Sequence, residues 1–526
     1  MITFTLLLAI PLLCFYWYIQ RKRQHGVLKQ MGIPGPEPES ILSGNAKSLY
    51  VKGLSNTYNE WSKKYGKTFG YYSGKNATIV TSDLDLLNHV FIKDFEKFNG
   101  RELRYADRKN AAVGMFYSIG KTWKRLRTIA SPSFTAVQMK RMSPTITSIN
   151  ERLMKVMQEH CDEDKAFNIH EDFQKLTLDV IASCAFGMEI NALQNENEIF
   201  LEKCRHAFAL GQRTKKTFLS HLSFLGHISE DLLKTIFKLL TKFVRRPKTW
   251  FDEIAEKLIE ERRREQIDRV DFLQLMMNVV DIPENIPDKA MTADLSKDEN
   301  MDTASLNDNK VQKAVTEDEI KGQLMLFLLA GFETTSTALS FLAYDLALNP
   351  EVQEKVYKEI MDNFTEEEGP DYTSVQKLKY MDYVIQETLR LHAIAQVAAE
   401  RQCNAPFQYG DYTIQPGMAI KAHMEAVHRN PEYWGPEDPE LFVPERFLPE
   451  RVASRPTMAW MPFGAGPRNC IGMRFALLEI KMCLVNLLRV YKILRCEETK
   501  VPLPQTSNLT IGPSEGVHIR LQQRNS

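Results

Sequence analysis

The segment Phe463-Gly464-Ala465-Gly466-Pro467-Arg468-Asn469-Cys470-Ile471-Gly472 combines residue types that could do chemistry together. Glycines and a proline make a tight irregular loop whose backbone can approach a flat ligand closely. A cysteine closes the loop just ahead of an apolar stretch, Met473 to Tyr491, that reads as a helix. At a helix start, backbone N–H groups and the helix dipole favour a thiolate, the form that binds metals or attacks carbon. Arg468, two residues upstream, can pair with an anionic group on the same ligand. A lone cysteine is usually buried and inert. The surrounding Phe-x-x-Gly-x-Arg-x-Cys-x-Gly makes Cys470 a candidate ligand or nucleophile.

Three further clusters carry potential chemistry. In Glu387-Thr388-Leu389-Arg390 the acid and base share one helix face at i,i+3 and can pair, as many surface residues do. Ala330-Gly331-Phe332-Glu333-Thr334-Thr335 lies inside a long apolar stretch. Gly331 there costs about 1 kcal/mol of helix propensity against alanine, so either it packs closely or it makes room beside an acid and a hydroxyl that can relay protons. In Trp123-Lys124-Arg125-Leu126-Arg127, Trp123 and Arg127 fall on one helix face and both can donate to a carboxylate. His423 and His428 are five residues apart with no third ligand beside them, and Arg262-Arg263-Arg264 reads as a solvated helix face.

The cysteine loop resembles the haem-binding signature of the cytochrome P450 superfamily, and the other clusters follow in that family's order over essentially the whole chain. Asp271-Phe272-Leu273-Gln274-Leu275-Met276 and Asp179-Val180-Ile181 are similar to segments of the clan that holds the family 3 drug-metabolising enzymes and thromboxane synthase. The resemblance implies haem b (iron protoporphyrin IX) with Cys470 as thiolate ligand of its iron, and Phe463 as part of the cofactor loop. It assigns Trp123, Arg127, Arg468 and Arg401 to the haem propionates. Pro444-Glu445-Arg446-Phe447 is similar to the family's meander, so Glu387, Arg390 and Arg446 are expected to form a buried structural triad. Thr334 and Glu333 take the roles of hydroxyl and acid that deliver protons at the oxygen site. Phe116, Phe327, Ala330 and Ala395 are expected to line the substrate pocket. Where the family carries a proline after the Glu-x-x-Arg helix, this chain reads Leu391-His392-Ala393-Ile394, and the spacing to Arg401 is one residue longer.

The implied function is a haem-thiolate monooxygenase that inserts one oxygen atom into a lipophilic small molecule. Its electrons would come from NADPH through NADPH-cytochrome P450 reductase, with cytochrome b5 as a second donor. Lys124, Arg125, Arg474 and Lys481 are candidate docking charges. A haem-thiolate isomerase acting on peroxides, or a haem protein that binds ligands without turnover, are the alternatives. The Glu333-Thr334 pair speaks against the isomerase, which needs no delivered protons.

These residues need elements to hold them. Thr316-Glu317-Asp318-Glu319 is a capping box opening an apolar run to Leu348, a helix of about 33 residues and near 50 Å. Asn349-Pro350 ends it and starts a second helix reaching about Phe364. Strand-like pieces occur at Thr68–Tyr72, Ala77–Thr81, Tyr412–Ile414 and Ala419–Lys421. The fold class is mainly α with a minor β region, which the resemblance implies is a triangular haem-thiolate fold, preceded by a transmembrane helix.

Ile2 to Ile19 carries no charge and as a helix spans roughly 27 Å. Arg21, Lys22 and Arg23 follow, with Phe15 to Tyr18 as an interfacial aromatic belt; a cleaved signal would carry its charge first. The expected organisation is an anchor over 1–20, a basic, proline-rich linker over 21–40 and a catalytic domain over 41–526, with a polar loop at 283–315. The positive-inside rule leaves that domain cytosolic on a single-pass protein, where the Asn76, Asn363 and Asn508 sequons have no use, and the resemblance implies that the membrane is that of the endoplasmic reticulum. With 67 basic and 67 acidic side chains, nucleic acid is not an expected partner, whereas membrane lipid is. Eight cysteines without a Cys-x-x-Cys argue for reduced thiols and against zinc or iron–sulfur sites.

Overall fold

The computed structural model describes residues 2–101, 114–196, 198–213, 250–265, 271–280, 315–365, 369–507 and 510–524. Helices dominate: α1 (Ile2–Gln24), α2 (Gly120–Ala130), α3 (Ala136–Glu163), α4 (Ile169–Phe186), α5 (Glu198–Arg213), α6 (Trp250–Glu265), α7 (Phe272–Val280), α8 (Glu317–Leu348), α9 (Pro350–Asn363), α10 (Lys379–Leu391) and α11 (Met473–Val490), with a further helix at Leu54–Tyr65 and shorter helices and turns between. Of the expected polar loop, all but Val315 lies outside the described residues.

The capping box forms as the sequence predicts. The Thr316 hydroxyl accepts the Glu319 N–H at 3.2 Å and the Glu319 carboxylate accepts the Thr316 N–H at 3.0 Å. Pro350 supplies the first residue of α9, where its missing N–H costs nothing. Helix α8 is long and apolar enough to cross a membrane, yet it is mostly buried inside the protein. Its apolar surface is the centre of the main core, packed against α4, α7, α10 and α11.

Among the described residues, eleven short strands form a minor β region: β1 (Thr68–Ser73), β2 (Asn76–Thr81), β3 (Phe167–Asn168), β4 (Glu400–Gln402), β5 (Phe407–Tyr409), β6 (Tyr412–Ile414), β7 (Ala419–Ala422), β8 (Tyr491–Leu494), β9 (Gln505–Ser507), β10 (Ile511–Pro513) and β11 (His518–Gln523). One sheet has the order β1-β2-β7-β4, in which β2 and β7 run parallel and Arg401 pairs with Ile420. The others are β3-β11-β8 and the hairpins β5-β6 and β9-β10.

The proline-rich stretch after α1 is docked along β1. His25 bonds the Gly74 carbonyl at 2.9 Å, the Leu28 N–H donates to the Tyr72 hydroxyl at 3.0 Å, and Gly70 N–H donates to the Pro34 carbonyl at 2.8 Å. Leu28 and Ile33 are buried in the sheet-side core. The basic run on α6 is not all solvated either. Arg262 is buried, ion-paired with Asp271 and donating to the Phe186 carbonyl at 2.9 Å, because α7 begins beside it.

Candidate functional site

The loop around Cys470 is held by its own backbone. Gly464 N–H donates to the Met461 carbonyl, Asn469 N–H to Gly466, and Cys470 N–H to Phe463, at 2.9, 2.9 and 2.8 Å. Gly464 and Gly466 both have positive φ, +73° and +68°. The Gly466 hydrogen points at backbone, not at open space: a Cβ there would lie 1.8 Å from the Phe91 carbonyl oxygen. Gly466→Ala is therefore expected to unseat the loop. The left-handed φ alone costs about 1–2 kcal/mol, and a rigid carbonyl cannot yield to the added carbon. A lowered urea midpoint with loss of bound cofactor would be the measurement.

Cys470 is surface-accessible although it sits deep within the protein. Burial pushes its thiol up, while the Gly472 N–H and the Arg127 and Arg101 guanidiniums pull it down. Desolvation outweighs the start of α11, so the bare sulfur is not a poised nucleophile. A metal would have to drive off its proton, which favours the ligand reading over the nucleophile.

Four arginines converge on this loop. Arg468 donates to the carbonyls of Phe116 (3.3 Å) and Ser118 and lies over the Trp123 ring at 4.6 Å. Arg127 grips Asn469, its two terminal nitrogens donating to the Asn469 backbone and side-chain oxygens at 2.9 Å each. Arg401 donates to the carbonyls of Glu400 (2.7 Å) and Ala465 (3.3 Å) and covers Phe91 at 4.3 Å. Arg101 donates to the carbonyls of Phe116 and Ala398, both at 3.3 Å, with its guanidinium 3.8 Å over the Phe116 ring.

Desolvation holds these cations below the ordinary arginine range, and repulsion from the neighbouring arginines adds to it for Arg401 and Arg468. Arg468 is pushed down to about 9, Arg401 far down, and Arg127 down through desolvation alone. Arg101 is pushed down to about 10 by desolvation, offset by Glu400. The Nε of every one of the four is buried without a hydrogen-bond partner. Glu400, the carboxylate that acts on Arg101 and Arg401, is itself paired with Lys421 at 2.8 Å. So much uncompensated buried charge fits a dianionic ligand such as the two propionates of haem, with Cys470 beside them.

Sequence reasoning missed Arg101. It stands in no motif and arrives through the bridge between Gly100 and Gln402, 302 positions apart along the chain. Trp123 was expected to donate to a propionate; here its ring packs under Arg468 and against Phe95 at 5.3 Å. Between α10 and Arg401 the chain makes a 3-10 turn, Gln396–Ala398, and Arg401 lies in the cluster.

On α8 the structure separates the expected pair. The Thr334 hydroxyl donates to the Ala330 carbonyl at 2.6 Å. Glu333 turns to α4 and α5 instead, where Gln174 donates to its carboxylate at 3.3 Å and Arg205 donates to Gln174 at 2.8 Å. The helix shows no break here. The space left by Gly331 is filled by Ile181, whose side-chain carbons would lie 2.9 Å from an added Cβ, so this glycine serves the close packing of α4 on α8.

Ala330 is exposed in the middle of the core helix, and Ala395 is half-buried. Phe327 is buried between Phe272 (4.3 Å) and Phe134 (5.6 Å), in the core rather than on an open wall. Phe116 joins the arginine cluster. Lys481 is buried too, donating to the Val375 carbonyl at 3.1 Å and pairing with Asp382, and Arg125 pairs with Glu319 at 3.0 Å. Neither is a free docking charge.

Burial raises the Glu333 carboxyl, and the Gln174 hydrogen bond and Arg205 lower it. A carboxyl raised on folding contributes stability that is complete below its unfolded value near 4.3 and fades as pH climbs through the folded one. Gln174→Leu removes a lowering contact. The pH at which the protonated carboxyl band vanishes, read by infrared difference against Glu333→Gln, is expected to move upward.

A family model described as Cytochrome P450 matches residues 34–520. Cytochrome P450 3A14 of Cavia porcellus is 32% identical, covering 98% of this chain and 96% of that protein. Cytochrome P450 3A5 of Homo sapiens is 32% identical over 99% and 96%, and Cytochrome P450 3A40 of Oryzias latipes 34% over 100% and 97%.

Proposed function

The chain belongs to the cytochrome P450 superfamily and is a haem-thiolate monooxygenase; we propose that it oxidises lipophilic small molecules at a membrane, with Cys470 as the iron ligand. The observation that carries the assignment of the site is the cluster of four under-compensated arginines around the cysteine loop. Haem b, when bound, supplies dioxygen activation and insertion of one oxygen atom into a C–H bond.

The chain's own residues do the rest. Arg101, Arg127, Arg401 and Arg468 hold the propionates, and Trp123 braces Arg468. Thr334 offers its hydroxyl on the exposed stretch of α8, and Glu333 stores a proton that must leave the Gln174 side to reach it. Ala330 and Ala395 leave room for an apolar substrate, and Phe463 fixes the Cys470 backbone. Helix α1, with Arg21 to Arg23 in its last turn, supports a single-pass anchor in the endoplasmic reticulum membrane and a cytosolic catalytic domain over 41–526. An NADPH-cytochrome P450 reductase is the proposed electron donor, with Lys124 and Arg474 as docking charges and cytochrome b5 as a second donor.

The test is a lipophilic panel screened by spin-state shift, then turnover with reductase and NADPH under labelled dioxygen. One labelled oxygen atom per product supports the reading. Product from a peroxide without NADPH or dioxygen would favour the isomerase.

A further inference from the structure

The first turn of α8 ties together helices that lie apart in sequence. Arg125 of α2 grips the Glu319 carboxylate with both terminal nitrogens, one of them at 3.0 Å, and the two side chains are only 18% and 13% exposed. A two-pronged arginine–carboxylate pair is strong and directional, and in such shelter salt screens it little. The same carboxylate closes the capping box on Thr316. Burial pushes the Glu319 carboxyl up, but the Arg125 and Thr316 bonds together bring it below its ordinary value, so the grip stays charged at neutral pH. Helix α6 is fastened to the same turn, Lys321 pairing with Glu256 at 2.8 Å and Arg263 with Glu317 at 3.1 Å. Arg125 stands two residues from both Trp123 and Arg127, so at about 100° per residue it leaves α2 on the face opposite theirs. One face of α2 therefore meets the cysteine loop, through Arg127 on Asn469 and Trp123 under Arg468, while the other is fastened to α8. Helix α7 packs against both α2 and α8.

We propose that Glu319 is a positioning residue for cofactor retention: through Arg125 it fixes α2, which presents Arg127 to the propionates and braces Arg468 with Trp123. The inference rests on the reading of Cys470 and the arginine cluster as a haem site and deepens it, since it adds an acid that lies outside both. Groups that orient a ligand's partners from behind matter nearly as much as the partners, because a guanidinium slightly out of place loses its fork. Arg125 thereby has a task other than partner docking, being turned inward and paired. With the grip gone, α2 keeps its hold on the loop but loses its fixed distance from α8, and Arg127 neutralises a propionate less well. Poorer neutralisation of an anion beside the iron favours the ferric over the ferrous state, so the reduction potential should fall.

The experiment follows haem transfer from holoprotein to excess apomyoglobin, in urea well below the unfolding midpoint, together with the reduction potential. Glu319→Gln keeps an acceptor for the Thr316 N–H, since glutamine also closes a capping box, but removes the charge that Arg125 grips. It is expected to lose haem about tenfold faster than wild type, at a lowered potential. Arg125→Met attacks the same contact from α2 and should match it, so it decides the matter should Glu319→Gln not fold. The double variant should release haem no faster than either single one, as two ends of one contact do. Thr316→Val breaks the hydroxyl half of the box, leaves the grip, and should keep the wild-type rate and potential. Wild-type rates and potentials in both single variants overturn the proposal. So does equal acceleration by Thr316→Val, which would make the capping of α8 the whole effect. Weaker reductase binding by Arg125→Met with unchanged haem release would make Arg125 a docking residue and overturn it too. A wild type without the thiolate band of the reduced carbon monoxide complex would refute the haem reading itself, and the inference with it.

Discussion

Cys470→Ala is expected to abolish the red-shifted Soret band of the reduced carbon monoxide complex and all NADPH-dependent product formation. The substitution isolates the sulfur. The loop is closed by the Cys470 N–H on the Phe463 carbonyl and by the Arg127 grip on Asn469, and alanine keeps both. Cofactor pocket and fold should therefore persist while the ligand is gone, so far-ultraviolet circular dichroism stays as in wild type. The other cysteines offer no substitute. Cys184, Cys204, Cys403 and Cys483 are buried and desolvation raises all four thiols, Cys204 to about 12. None of these lies in a glycine loop beside arginines. A variant that kept the thiolate band would remove Cys470 from the chemistry, and the same spectrum for Cys184→Ala serves as the control.

What the sequence made legible was local. The cysteine loop, the capping box at Thr316 and the stop at Asn349-Pro350 are each written within ten residues, and backbone rules act at that range. The four strand pieces were placed to within a residue or so because alternating apolar runs end at turn residues. What stayed hidden depends on chain brought from far away. Arg101 reads as an ordinary basic residue until Gly100 pairs with Gln402. Lys481 reads as a surface charge until the segment at Val375 covers it, and Arg262 until α7 does. Glu333 and Thr334 are adjacent in sequence, but the helix turns them roughly 100° apart, and the partners that claim Glu333 come from α4 and α5. Orphaned atoms such as the four arginine Nε leave no trace in a sequence at all, since an unmet hydrogen bond is a property of surroundings.

The second large effect lies in the triad. Glu387→Gln is expected to lower stability by about 3–5 kcal/mol, seen as a fall in the urea midpoint with little change in slope. Glu387, Arg390 and Arg446 are at most 1% exposed. The Glu387 carboxylate receives a two-pronged bond from Arg390 at 2.7 and 2.8 Å, accepts the Val443 N–H at 2.9 Å and lies 3.3 Å from Arg446. Arg390 spends its remaining donors on the carbonyls of His428, Pro439 and Leu441 at 2.8, 2.7 and 3.1 Å. One acid thus holds two guanidiniums in a dry interior, and glutamine keeps the shape while leaving Arg390 without a counter-ion and Arg446 with only the more distant Glu437. Against a total stability of about 5–15 kcal/mol, that is a large share.

The loss should reach the cofactor loop through His428. Burial holds this imidazole neutral, at about 3, so its Nδ1–H donates to the Arg390 carbonyl at 3.2 Å while its Nε2 accepts the Met461 N–H at 3.1 Å. Met461 in turn accepts the Gly464 N–H. Glu387→Gln is therefore expected to release haem faster than wild type in urea well below the unfolding midpoint. Arg390→Lys should do the same, because an ammonium cannot reproduce the fork or its three carbonyl bonds. If Glu387→Gln unfolded at the wild-type midpoint, the carboxylate would not be what holds these arginines, and Glu437, 3.5 Å from Arg446, would be the acid to remove next.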